Sequence, residues 1–84
     1  MKDRQYFETV NAIVDRAQED DTLRTFDRLS LFMDIDHALD QFNIDAADFL
    51  ALNDSTFWHD VGGIVGNMNR RTGKVENCFL PRCT

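Results

Sequence analysis

The sequence contains no long apolar run. No uninterrupted apolar stretch approaches the roughly 20 residues that a membrane-spanning helix needs. Residues 1–8 also lack the apolar stretch of a secretory signal peptide. Both absences argue against a membrane protein or a secreted one, so we expect this chain to work in the cytoplasm.

Cysteine is scarce, with Cys78 and Cys83 as the two examples in 84 residues. A disulfide between them would close a loop too short to constrain much of the chain, so we expect reduced thiols. Their C-x-x-x-x-C spacing has no second pair, and the chain has no H-x-x-x-H or H-E-x-x-H motif. The spacings typical of zinc sites are therefore missing.

Basic residues are few and unevenly placed. Lys and Arg number 9 against 15 Asp and Glu, which gives a net charge of -6. Residues 61–84 hold Arg70, Arg71, Lys74 and Arg82 against a single acid, Glu76. An acidic body repels nucleic acid phosphates, which argues against DNA or RNA as a partner. We expect the basic segment to dock on its own acidic body or on that of a neighbouring copy.

What the sequence does contain is enough apolar material for one folded domain. Of its 84 residues, 43% are hydrophobic and 11% aromatic, which is too much for a disordered segment. The first helix is predicted from apolar residues at three- and four-residue steps. These are Phe7, Val10, Ile13, Val14 and Ala17.

Further helices are predicted from caps and spacing. Thr25 or Asp27 can cap a second helix, Asn43 can end it, and Asp45 can cap a short third helix. Ser55 can begin a fourth over residues 56–61. The second helix is apolar around much of its circumference, which predicts a central helix packed on more than one side. Its apolar residues are Leu29, Phe32, Ile35, Leu39 and Phe42, with Leu31, Met33 and Ala38.

Beyond Val61 the sequence allows two continuations. A helix could run on through Ile64, Val65 and Met68, but glycines at 62, 63 and 66 would cost roughly 3 kcal/mol relative to alanine. A hairpin around residues 69–74, with Gly73 in the left-handed conformation, is therefore favoured. It would pair Met68 with Val75, Gly66 with Asn77 and Ile64 with Phe79, and turn Asn67, Asn69, Lys74 and Glu76 outward.

The predicted fold class is mainly α. We expect three to four short helices in one small domain over residues 1–84, with a C-terminal β-hairpin or extended segment. Residues 1–61 would form a helical acidic body, and residues 62–84 a glycine-containing, basic hairpin or tail.

Three segments carry a resemblance to a known family. They are Phe57-Trp58-His59-Asp60-Val61-Gly62-Gly63-Ile64, Asn69-Arg70-Arg71-Thr72-Gly73 and Cys78-Phe79-Leu80-Pro81-Arg82. This F-x-H-D-V-x-G-I, N-R-x-T-G, C-F-x-P-R pattern resembles a family of short bacterial and phage proteins, a domain of unknown function. The resemblance implies a phage or mobile-element setting, in the host bacterial cytoplasm, and implies no activity. The binding residues that it suggests are Phe57, Trp58, His59, Asp60, Arg70 and Arg82.

One chemical hypothesis concerns His59, Asp60 and Cys78. A histidine, a carboxylate and a thiol could bind zinc and activate a water for hydrolysis, joined by His37, Asp34 and Asp36 from the second helix. In the structural alternative, Asp60 satisfies backbone donors or pairs with Arg70 or Arg82, and His59 hydrogen-bonds within the hairpin junction. The structural alternative is favoured, so we expect no catalytic residues and no cofactor.

Trp58 likewise has two interpretations: it covers the core, or it lies half exposed as an anchor for a partner. We predict a non-catalytic protein-interaction module that binds a host or phage protein, or itself as a homodimer. The alternatives are a metal-binding protein or metal-dependent hydrolase, and an acidic mimic of nucleic acid.

Overall fold

The computed structural model of this protein describes residues 2–52, 56–61 and 64–78. Within these ranges the chain forms three α-helices and a three-stranded antiparallel sheet of order β1-β2-β3. The mainly α fold with a C-terminal hairpin is confirmed. The elements are α1 (Arg4–Glu19), a 3-10 turn (Asp21–Leu23), α2 (Arg28–Gln41), α3 (Ala46–Leu52), β1 (Thr56–Val61), β2 (Ile64–Asn69) and β3 (Val75–Cys78).

Aspartates begin all three of these helices. The carboxylate of Asp3 accepts a hydrogen bond from the Tyr6 amide at 2.9 Å, and Asp27 accepts one from the Ser30 amide at 3.0 Å. Asp45 does the same for the Asp48 amide at 3.0 Å. Each bond satisfies a backbone donor that the helix itself leaves without a partner. The predicted cap at Asp45 is confirmed, and Asp27 caps α2.

The predicted stop at Asn43 is also confirmed. Asn43 has a φ of 53°, the left-handed conformation that ends many helices. Its amide donates to the Asp40 carbonyl at 3.2 Å, and the Ile44 amide donates to the Leu39 carbonyl at 2.8 Å. This pair of bonds is a Schellman motif, which turns the chain directly into α3.

The core lies between the helices and one face of the sheet. Trp58 of β1 packs against Phe49 of α3, with ring centroids 5.8 Å apart. β1 also contacts the 3-10 turn, where Leu23 is fully buried. The other buried hydrophobic residues are Val10, Ile13, Val14 and Ala17 of α1, Leu31, Ile35, Ala38 and Leu39 of α2, and Ala46 of α3.

The composition of the second helix predicted a central helix packed on more than one side, and this prediction is wrong for its outer face. Its inner face is buried, but Leu29 is 68% exposed and Met33 is 61% exposed. The apolar residues on the outer face of α2 therefore meet solvent. Among the described elements, α2 makes its main contact with α1, which covers one side of it.

The predicted fourth helix is wrong. Residues 56–61 form β1, which pairs with β2 along its whole length, from Thr56 opposite Asn69 to Val61 opposite Ile64. Phe57 and Val61 have helical spacing, but threonine, aromatic and valine side chains also favour strands. The pairing with β2, the next strand along the chain, decided between helix and strand.

The hairpin is confirmed, with a correction to its register. Gly73 has a φ of 71°, and Met68 pairs with Val75 as predicted. The Asn69 side-chain oxygen accepts from the amides of residues 71 and 72, at 2.8 and 3.1 Å. A β-bulge between Asn67 and Met68 then shifts the pairing, so that Gly66 lies opposite Cys78, not Asn77. The predicted pairing of Phe79 lies outside the described residues.

The prediction that Asn67 turns outward is also wrong. Asn67 is fully buried and lies opposite Trp58, on the sheet face that packs on the helices. Neither polar atom of its side chain finds a hydrogen-bond partner among the described residues. A buried amide without partners destabilises a fold by roughly 1–3 kcal/mol.

A polar cluster ties the N-terminus to α2. The Lys2 ammonium donates to Asp36 and Asp40, both at 2.6 Å, and the Tyr6 hydroxyl donates to the same oxygen of Asp36 at 2.6 Å. Partial burial opposes the charge of Asp36, but the hydrogen bonds from Lys2 and Tyr6 outweigh it and lower its pKa. Burial, together with the bond to Asp36, raises the pKa of Tyr6 to about 12.

We predict that Asn67→Val stabilises the protein by roughly 1–3 kcal/mol, because it removes a buried amide without partners and favours the strand. The free energy of unfolding from urea titration measures this. Asn69→Val is the matched control: it should destabilise by about 1 kcal/mol, because the turn loses two hydrogen bonds. A loss of stability in Asn67→Val would contradict the prediction.

We predict that Asp36→Asn destabilises the protein by about 1–2 kcal/mol near neutral pH. Since folding lowers the pKa of Asp36, its stabilisation is present above the unfolded pKa and is lost as the pH falls through the folded pKa. The difference between variant and wild type should therefore vanish in acid.

Urea titrations at a series of pH values test this. Asp34→Asn on the same helix is the control, since the Asp34 carboxylate makes no hydrogen bond or ion pair within the described ranges. A difference between Asp36→Asn and wild type that stays constant with pH would show that the carboxylate charge is not responsible.

Candidate binding surfaces

The hairpin brings some of the predicted site residues together on the sheet face that points away from the helices. Phe57, Met68 and Val75 lie in one cross-strand row there, and Val75 is 40% exposed. We call this row the sheet patch. The Arg70 guanidinium lies over the Phe57 ring, 5.3 Å from its centroid. This cation–π contact joins β1 to the turn between β2 and β3.

Trp58 does not belong to the sheet patch. It occupies the opposite face and is 3% exposed, which confirms that it covers the core and contradicts its interpretation as an exposed anchor. His59 follows on the same face as Phe57, because alternate strand residues share a face, and it is half-buried. The side chain of Asp60 and the whole of Arg82 lie outside the described residues.

The metal hypothesis gains no support from the residues that the structure describes. His59 and Cys78 both lie opposite Gly66, one in each neighbouring strand. Across the described part of the chain, no three His, Cys, Asp or Glu side chains gather closely enough to hold a metal ion. Asp36 instead accepts hydrogen bonds from Lys2 and Tyr6.

The basic hairpin residues do not dock on the acidic helices. Arg70, Arg71 and Lys74 are exposed, and no ion pair within the described ranges joins them to an acid of α1 or α2. The basic charge of the turn therefore faces solvent. The expectation that this segment neutralises the body of its own chain is not supported by these three residues.

A second apolar surface lies on the helices, where the sequence analysis did not expect one. Leu29 and Met33 project from the outer face of α2, one turn apart. Phe32 is half-buried beside them and stacks on Phe7 of α1, with centroids 6.2 Å apart and an interplanar angle of 8°. Phe7 is itself 44% exposed. We call Phe7, Leu29, Phe32 and Met33 the helical patch.

Charged clusters flank the helical patch at both ends. At the C-terminal end of α2, Asp36 and Asp40 share the single ammonium of Lys2. At the N-terminal end, Arg28 donates to Asp15 at 2.7 Å and to Gln18 at 3.0 Å. Both clusters join α1 to α2, so they also hold Phe7 against Phe32.

A shallow cleft of about 260 Å³ lies between the start of α1 and the start of α3, beside Tyr6 and Thr9. Its carboxylates, Asp3 and Asp45, already accept hydrogen bonds from helix amides. These two groups stabilise helix ends and leave the cleft without a distinctive chemistry.

The helical patch had a signal in the sequence. The apolar residues around α2 exceed what one buried stripe requires, and this excess predicts a central helix. The same excess is expected of a surface helix that also binds something. Leu29 and Met33 lie on the exposed face of α2, so the expectation of a central helix fails at these two residues.

No helix in the described part of the chain is both long and apolar enough to cross a membrane.

Comparison with known proteins gives one family. A family model described as "Family of unknown function (DUF6874)" matches residues 5–84. The comparisons with curated proteins and with solved structures gave no match. The family match includes the helical patch and the sheet patch, and it spans almost the whole chain. This protein therefore belongs to the family of unknown function DUF6874.

Proposed function

We propose that this protein is a non-catalytic interaction module that binds another protein chain through the helical patch. The observation that carries the proposal is the exposure of Leu29 and Met33, 68% and 61%, next to the stacked pair of Phe7 and Phe32. Fully burying a leucine or methionine contributes roughly 1.5–3 kcal/mol. A partner that covers this surface gains that energy from several side chains at once.

The form of the surface supports a protein as the partner. Phenylalanine, leucine and methionine on one helical face form the kind of apolar surface that packs against another helix. Charged groups surround this apolar centre, as they do in many protein interfaces. The carboxylates nearest to the patch, Asp15, Asp36 and Asp40, are already paired with Arg28 and Lys2. Contact through apolar side chains is therefore better supported than mimicry of nucleic acid.

The setting is part of the same proposal. The resemblance of residues 57–82 to short phage and bacterial proteins suggests a phage or mobile-element protein that acts in the cytoplasm of its host. Small proteins of this kind often occupy a surface of a host factor, an analogy that guides the choice of lysate. The sheet patch, with Arg70 on Phe57, offers a second contact surface for the same partner.

We predict that a photo-crosslinking amino acid at position 33 forms protein adducts, in a bacterial host lysate or with the chain itself. The same amino acid at position 51 is the matched control, since Ala51 is exposed on α3 and lies outside the helical patch. Mass spectrometry of the adducts is the measurement. The proposal predicts a defined adduct from position 33 and only background from position 51.

Adducts of equal yield at both positions would contradict the proposal, because they would reflect random collision. No adduct from position 33 would contradict it as well. Circular dichroism of both labelled proteins checks that each keeps its helices.

A further inference from the structure

The cations of the hairpin turn differ from the other cations that the structure describes. Arg70, Arg71 and Lys74, which we call the basic turn, are exposed, and their side chains make no ion pair or hydrogen bond within the described ranges. The cations of residues 1–60 each contact an acceptor on their own chain: Lys2 contacts Asp36 and Asp40, Arg4 contacts Glu8, Arg16 contacts the Leu50 carbonyl, Arg24 contacts Asp21, and Arg28 contacts Asp15. An acidic chain thus keeps uncompensated positive charge at one place.

Hydrogen bonds hold the backbone of the basic turn. The Asn69 side-chain oxygen accepts from the amides of Arg71 and Thr72, and the Asn69 carbonyl accepts from the Gly73 amide at 2.8 Å. The Asn69 amide donates to the Lys74 carbonyl at 3.0 Å. The cations therefore project from a closed turn, and a ligand that binds them orders little additional backbone.

The Phe57 ring positions the Arg70 guanidinium. The guanidinium lies 5.3 Å from the ring centroid, and this attraction holds the side chain over the sheet patch. Its five N–H donors have no acceptor within the described ranges. A guanidinium can donate to both oxygens of one carboxylate through parallel hydrogen bonds. Arg70 is therefore a preformed site for a carboxylate beside an apolar surface.

We infer that the sheet patch and the basic turn together bind an acidic segment of another protein, whose carboxylates contact the basic turn and whose apolar side chains contact the sheet patch. Complementary charge selects this occupant, because exposed cations attract carboxylates and repel a basic segment. The inference rests on the proposed function in taking the partner to be a protein. It adds the chemistry of that partner, and it uses a surface separate from the helical patch.

The two parts of this surface adjoin each other. Met68 and Val75 are the paired residues of β2 and β3 nearest to the turn, and Phe57 lies opposite Met68 in β1. Neighbouring strands are about 4.8 Å apart, so the row spans roughly 10 Å across the sheet. A row of this length accommodates two or three apolar side chains of a ligand, while its carboxylates reach the turn on one side.

An acidic protein segment fits these groups better than a nucleic acid does. Nucleic acid binding depends on how many phosphates are neutralised, and the other phosphates of a strand would be repelled by a chain of net charge -6. The Phe57 ring, on which a base could stack, already carries Arg70 over it. A short peptide needs only a few carboxylates at the turn, and repulsion from distant acids is screened beyond roughly 8–10 Å.

Selection from a peptide library tests the inference. Random peptides displayed on phage are selected on the immobilised full-length protein. The enriched set should include peptides in which several aspartates or glutamates stand next to apolar residues. If no peptide of this class were enriched over the support without protein, the inference would be overturned.

Charge reversal locates the binding of such a peptide. Arg70→Glu should weaken it roughly tenfold or more in fluorescence anisotropy of the labelled peptide, because a carboxylate then opposes the peptide's own carboxylates. Arg4→Glu is the matched control: it makes the same change in net charge at a side chain of α1 that is 93% exposed, and should alter the affinity by less than about twofold. Equal weakening by both variants would overturn the inference, since net charge alone would explain it.

A conservative change tests the role of Arg70 without altering the charge. Arg70→Lys should weaken the peptide roughly threefold or more, because an ammonium cannot donate to a carboxylate in the two-pronged manner of a guanidinium. An unchanged affinity would overturn the carboxylate site at Arg70. Circular dichroism of each variant checks that the fold is kept.

A labelled oligothymidine gives the comparison with nucleic acid. The inference predicts that it binds more weakly than the acidic peptides do. Tighter binding of the oligothymidine, lost in Arg70→Glu, would make nucleic acid the occupant and overturn the inference.

The results separate this inference from the proposed function. If no acidic peptide bound and position 33 still crosslinked a protein, the inference would fail and the proposed function would stand. If acidic peptides bound at Arg70 and position 33 crosslinked nothing, the helical patch would fail as a contact surface and the sheet patch would stand.

Discussion

The packing of Trp58 on Phe49 is the contact on which the architecture depends. An 84-residue chain buries only about two thirds of its unfolded surface, so the helices need the sheet to complete their core. Trp58 supplies the largest side chain of that contact from β1, and its ring lies 5.8 Å from that of Phe49. Once Trp58 faces the helices, strand alternation turns Phe57 and His59 to the opposite face. The sheet patch follows from the way the core is closed.

The burial of Trp58 also determines the environment of Asn67. The two residues lie opposite each other in β1 and β2, so the face that buries the tryptophan buries the amide as well. The β-bulge beside Asn67 sets the register of β3 at this point. Burying Asn67 is unfavourable in itself, and the favourable contacts of the surrounding core outweigh this cost.

The helical layer is closed on one side and open on the other. Leu31, Ile35, Ala38 and Leu39 of α2 point into the core, while Leu29 and Met33 remain exposed. Two polar clusters hold α1 along α2: Lys2 and Tyr6 on Asp36 at one end, and Arg28 on Asp15 at the other. These clusters keep Phe7 and Phe32 stacked without covering them. The molecule therefore presents a pre-formed apolar surface between these two clusters.

The sequence by itself determined the local features. Aspartate caps, the stop at Asn43, the inner face of α1 and the turn at Gly73 could all be predicted, because each depends on neighbours within a few residues. The contact of Phe57 with Arg70 depends on the pairing of β1 with β2, which the sequence analysis did not predict. The tertiary structure alone decided that residues 56–61 are a strand, that Asn67 is buried and that one face of α2 is open. Each of these depends on which other element lies opposite the residues concerned. A pattern of apolar residues indicates that a side chain avoids water, but it does not indicate which part of the molecule covers that side chain.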